Sequence, residues 1–117
     1  MARTKQAPQE ATAEKVSFSC KSENGSMSVK IGGDIDHHIA SQLRIALDDR
    51  ICQERPHLLK IDMSAITFMD SSGLGLIMGR YSLLGRLGAS LVIVKPSSPV
   101  RRMLHLAAME RFIRIEE

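Results

Sequence analysis

Tryptophan is missing from the chain, and one tyrosine and three phenylalanines are all the aromatics in 117 residues. Platforms for single-stranded nucleic acid need aromatic faces interleaved with cations, so direct nucleic-acid binding is not expected. Charge of one sign is also scarce. Sixteen Lys and Arg against thirteen Asp and Glu leave a formal +3, scattered along the chain. The only two cysteines, Cys20 and Cys52, have neither CxxC nor metal-knuckle spacing, so both read as small buried hydrophobes in a reducing compartment. No stretch approaches the roughly 20 apolar residues that span a bilayer. The opening "MARTKQAPQEATAEK" carries Lys and Arg without an apolar core of the kind a secretion signal needs. A cytoplasmic chain with no membrane association is expected.

What is present fits one compact domain, with 44% hydrophobic and 25% charged residues. Residues 1–15 show no apolar periodicity and read as a disordered tail, and 16–117 form the domain. "VSFSC" and "MSVKI" alternate about a turn at Asn24-Gly25, which predicts an antiparallel hairpin. Gly32-Gly33 is expected to end the second strand. Ile39, Leu43, Ala46, Leu47 and Ile51 then recur at helical spacing, and Pro56 closes that helix. "HLLKIDM" reads as a short strand. A second helix ends at Gly88, "SLVIVKP" is a strand, and Ser98-Pro99 supplies a cap followed by proline at the first helical position. "VRRMLHLAAM" makes the last helix and "FIRIEE" the last strand. The order β-β-α-β-α-β-α-β predicts the α/β class, a mixed sheet with an opening hairpin and helices packed on it. Sites in such sheets gather where strand ends meet helix starts, which selects "GGDIDHH" and "FMDSSG".

In the second helix, Leu74, Ile77, Met78, Tyr81 and Leu84 share one face that should meet the sheet, opposite Ser72, Gly75, Leu76, Gly79 and Leu83. Glycine inside a helix costs about 0.5–1 kcal/mol relative to alanine. Gly75 and Gly79 therefore call for a reason, and close approach of another backbone is one. Asp70 or Ser71 is expected to cap this helix. A phosphoryl group on Ser71 would suit the exposed N–H groups and the helix dipole, and would place a charge of about −1.5 to −2 beside Asp70. A hydrolase elbow lacks its first glycine, and Gly73-x-Gly75-x-x-x-Gly79 misses the dinucleotide spacing. Adjacent His37 and His38 do not share a face, so "DIDHH" reads as a capped loop with Asp36 or a neighbour as the cap, and no metal or cofactor is expected.

"FMDSSGLGLIMGRY", with "GDIDHH" upstream, resembles the anti-sigma factor antagonists of the STAS superfamily, the sporulation type in particular, over about Val16 to Ile115. The resemblance implies a single STAS domain that is not an enzyme but the substrate of one. By the family pattern Ser71 is phosphorylated by an anti-sigma factor that is itself a serine kinase, and a serine phosphatase removes the phosphate. Asp36, Asp70, Ser72, Gly73, Leu74, Gly75 and Leu76 correspond to the partner-binding surface. The unphosphorylated form would bind the anti-sigma factor and free its sigma factor for transcription. Two readings stand beside it: a constitutive STAS subunit of a transporter or signalling assembly, and a small enzyme or nucleotide-binding protein using the Gly-rich junction.

Overall fold

The computed structural model describes residues 16–117. The expected disordered segment, 1–15, lies outside them. Strands β1 (Val16–Glu23) and β2 (Ser26–Ile35) form the hairpin, and α1 (His37–Glu54), β3 (Leu58–Met69), α2 (Ser71–Arg86), β4 (Ser90–Val94), α3 (Ser98–Leu106) and β5 (Arg114–Glu116) follow. Asn24 and Gly25 both take positive φ at the turn, as a two-residue hairpin loop requires. The sheet order is β1-β2-β3-β4-β5, antiparallel in the first pair and parallel thereafter. Each crossover advances one strand in the same direction, so right-handed connections put the helices on one face.

Strand periodicity fits that arrangement. Met27, Val29, Ile31, Leu59, Ile61, Met63, Leu91 and Ile93 are buried, while Ser28, Lys30, Lys60 and Asp62 on the other face reach solvent to differing degrees. Val92 belongs to that other face yet is buried, because it lies in register between Lys60 and Arg114, whose aliphatic stems can cover it. Burying each large aliphatic side chain contributes about 1.5–3 kcal/mol.

Five expectations need correction. Gly32-Gly33 does not end β2. The strand shifts register against β3 between Lys30 and Gly32 and again between Gly33 and Asp34, then resumes through Asp34↔Phe68 and Ile35↔Met69. A Cβ at Gly32 would lie 2.7 Å from both the Ala65 Cβ and the Ser17 Oγ, so glycine is there for close approach between strands. The extension of β2 gives β3 a longer partner, and "HLLKIDM" is only the first half of a 12-residue strand. Near the middle of β3 the Asp62 carboxylate accepts from the Ser64 N–H and hydroxyl, at 2.9 and 2.7 Å. The cap of α3 is Ser97, one residue early, and that helix stops at Leu106, followed by a 3₁₀ turn over Met109–Arg111. Cys52 is exposed on α1, while Cys20 is half-buried and burial raises its thiol pKa.

The fifth correction concerns α2. Its buried positions are Gly73, Leu76, Ile77, Arg80 and Leu84, so Leu76 belongs to the core and Tyr81 to the surface. The spacing is still helical, but the phase is rotated because α2 packs on α1 as well as on the sheet. Arg80, only 5% exposed, sits in that helix–helix seam. Its Nε lies 2.8 Å from an Asp48 carboxylate oxygen of α1, and Nη1 reaches the Leu76 carbonyl at 3.4 Å. The Nε and the carboxylate oxygen are close but not aligned for a hydrogen bond, so their attraction is chiefly Coulombic. Burial lowers the guanidinium pKa, Asp48 opposes that, and Arg44 adds to it. Asp48→Ala strands a buried cation and is expected to destabilise the fold by about 1–3 kcal/mol in urea titration. Arg80→Met, which removes the charge and keeps the volume, is expected to cost less than Asp48→Ala.

Candidate functional site at two adjacent helix starts

Parallel β2 and β3 end level with each other, Ile35 beside Met69, and each is followed at once by an aspartate and a helix. Asp36 caps α1 at φ −100°, ψ −175°, and Asp70 caps α2 at φ −96°, ψ −171°. Neighbouring strands lie about 4.8 Å apart, so the two helix N-termini open side by side. The Asp36 carboxylate accepts from the Ile39 N–H at 2.9 Å, and that of Asp70 from the Ser72 N–H at 2.8 Å. The Asp70 N–H donates to the Ile35 carbonyl at 3.2 Å, tying the two junctions together. The Gly73 N–H donates to the Asp70 carbonyl at 2.9 Å.

Ser71 is the first residue of α2 and is exposed. It could have been the cap; the structure gives that role to Asp70 and leaves the serine hydroxyl outside. Ser72 and Leu74 are half-buried, and Gly75 is exposed with no neighbouring atom within 4 Å of where a Cβ would be. Gly79 is equally unconstrained, so no described residue supplies a close backbone to explain either glycine. Gly73 and Leu76 are buried and set the position of the helix from beneath. Asp36 is exposed beside this group, with exposed His37 and His38 starting α1. Among the described residues, no cluster of three or more His, Cys, Asp or Glu could hold a metal ion, and no base is hydrogen-bonded to Ser71.

Three residues were not singled out from sequence. Phe68 is 50% exposed at the end of β3, opposite Asp34, and the Thr67 hydroxyl donates to Asp34 at 2.5 Å. In the linear pattern "TFM" looks like uniform strand core. Only the register of the extended β2 reveals which way Phe68 faces.

These features define a small α/β domain whose exposed chemistry is concentrated at paired helix starts, with a serine at one of them. The chain belongs to the STAS domain family, whose model matches residues 17–117. It is 31% identical over 91 residues to the anti-sigma F factor antagonist of Paenibacillus polymyxa, spanning 78% of each chain. It is 30% identical over 92 residues to the anti-sigma-F factor antagonist RsfB of Mycobacterium tuberculosis, spanning 79% of this chain and 74% of that one. Among solved structures, the unphosphorylated anti-sigma factor antagonist SpoIIAA matches with a TM-score of 0.75 at 24% identity, over 85% of this chain and 87% of that one. SLC26A9 matches with a TM-score of 0.63 at 15% identity, over 78% of this chain and 17% of that one, which is a likeness of fold alone. The expected single STAS domain and mixed sheet are therefore found. No helix among the described residues is long and apolar enough to cross a membrane.

Two measurements test the construction of the site. A Cβ at Gly73 would lie 2.1 Å from Cγ of buried Met69, so Gly73→Ala is expected to destabilise by about 1–3 kcal/mol. A double-mutant cycle with Met69→Ala is expected to show coupling between the two positions, and additive costs would remove the close contact as the cause. The Asp36 pKa is lowered, first by the Ile39 N–H; desolvation opposes this, and the His38 N–H and the His38 and His37 rings add to the lowering. Its cap is thus in full effect above an ordinary carboxylate pKa of about 4 and fades as pH falls through the lowered value. Asp36→Asn is expected to flatten the fall in melting temperature over that acid range.

Proposed function

We propose that the protein is an anti-sigma factor antagonist switched by phosphorylation of Ser71. The observation that carries this reading is an exposed serine at the first position of α2, outside the Asp70 cap and beside the Asp36 cap of the neighbouring helix. The names of its relatives support the antagonist role. In the unphosphorylated form, Asp36, Asp70, Ser72, Leu74 and Gly75 meet an anti-sigma factor that is a serine kinase, and Gly73 and Leu76 hold the helix that presents them. Exposed Phe68 adds an aromatic anchor at the same edge of the sheet. Binding sequesters the anti-sigma factor and releases its sigma factor, as in sporulation-type control in the cytoplasm.

Phosphate on Ser71 adds a charge of about −1.5 to −2 next to two carboxylates. The helix dipole tolerates that charge within the domain, but an approaching partner meets repulsion and a desolvation cost. No refolding is required, because each 1.4 kcal/mol of lost binding weakens affinity about tenfold. A serine phosphatase resets the switch. The chain is then a substrate and not an enzyme, and it needs no cofactor. A second reading is a constitutive STAS subunit of a transporter or signalling assembly, using the same surface regardless of phosphorylation.

Incubation with a cognate anti-sigma factor kinase and ATP is expected to add one phosphate, mapped to Ser71 by peptide mass spectrometry, and Ser71→Ala is expected to abolish it. The phosphoprotein is expected to bind at least about tenfold more weakly than the unmodified chain, with unchanged circular dichroism. Binding indifferent to phosphate would favour the constitutive subunit, and phosphate mapped to Ser72 would move the switch by one residue.

A further inference from the structure

Three of the four aromatic side chains avoid the core: Phe68 is 50% exposed, Tyr81 36% and Phe112 57%. Phe68 stands at the end of the sheet that carries Ser71. Tyr81 and Phe112 flank a groove of about 570 Å³ at the opposite end. Its floor and walls include Leu58, Gly85, Leu91 and Arg114, so it lies between the second half of α2 and the starts of β3, β4 and β5. Along the axis of α2, the 1.5 Å rise per residue puts Gly85 roughly 20 Å from Ser71. This is a separate surface from the one assigned to the phosphorylation switch.

We propose that this groove docks an acidic peptide segment of a partner protein, with leucine or aromatic anchors on the segment filling the apolar floor. Charge selects that occupant. Arg114 lines the groove, Arg86 follows lining residue Gly85, Arg111 precedes lining residue Phe112, and no carboxylate is among the lining residues. Among the described residues, Arg86 and Arg111 have no salt-bridge partner. Arg114 meets Glu116 at 3.4 Å, but its side chain is 74% exposed and the pair is well screened. A second copy is disfavoured, since a two-fold interface sets the same patch on both sides and brings together two surfaces that each carry an excess of arginine. Residues 1–15 are disfavoured on charge as well, with Arg3, Lys5 and Lys15 against Glu10 and Glu14. Beside the groove, β5 is the last strand of the sheet, so its outer edge can add main-chain hydrogen bonds to an extended peptide.

The test uses the full chain, isotopically labelled, titrated with a short synthetic peptide alternating glutamate with leucine and phenylalanine. A matched peptide with lysine in place of glutamate is the control. Amide shifts are expected to cluster on Tyr81, Gly85, Ala89 and Phe112 and not at Ser71, with affinity for the acidic peptide at least about tenfold higher than for the lysine peptide. Phe112→Ser should lose binding while circular dichroism holds, because the side chain is more than half exposed. Arg114→Ser removes the one arginine that lines the groove, and with Arg111→Ser in the same chain should reduce the preference for the acidic peptide while the apolar anchors still bind. Equal affinity for the two peptides, shifts scattered over the surface, or a concentration-dependent dimer with shifts at these same residues would overturn the proposal. Phosphate transfer to Ser71 is a separate readout, so failure here leaves the switch untouched.

Discussion

The parallel pairing of β2 with β3 is the constraint on which the rest depends. It stops both strands at the same level, and the Asp70 N–H to Ile35 carbonyl bond fastens the two exits together. Each aspartate that follows meets the same local problem, a row of unpaired helix N–H groups, and solves it with nearly the same dihedral angles. With both caps supplied by aspartate, Ser71 is not the cap of α2 and stays exposed at its first position. A shift of either strand by one residue would exchange buried and exposed faces and misalign the caps. The two bulged irregularities in β2 and the close approach at Gly32 belong to this alignment, although they lie several residues away.

Below the caps, α2 is held by unlike contacts. Gly73 lets Met69 pack directly beneath its first turn, Leu76, Ile77 and Leu84 are buried, and Arg80 joins α1 through Asp48. An ion pair in such a seam contributes little net stability over an apolar pair, but each partner is costly to lose alone. It ties α2 to α1 across the seam that lies below the two N-termini.

The hairpin, the strand and helix order, and the caps' residue types were legible from alternation, Asn-Gly, Pro and Gly signals and Asp before a helical run. Illegible features share a cause: each depends on a partner distant in sequence. Gly32-Gly33 looks like a break because glycine ends most strands, yet here it permits contact with Ala65 and Ser17. The face of α2 was misphased because the helix also packs on α1, a neighbour that its own spacing does not reveal and that leaves Gly73, Leu76 and Arg80 buried. Phe68 hid inside an apolar run until the register with Asp34 showed its direction. The residues of the junction itself were visible; the depth of Leu76 and the emptiness around Gly75 were not.

The uninterrupted strand order also has a bearing on how the chain reaches its fold. The hairpin closes through two residues, and each later strand docks on the one before it after a single helical crossover, so no strand waits for a distant part of the chain to arrive. Loop-closure entropy rises only slowly with length, and contacts of modest sequence separation favour rapid folding. Assembly can therefore advance from one edge of the sheet to the other, in the same direction as synthesis, with each finished strand serving as the template for the next.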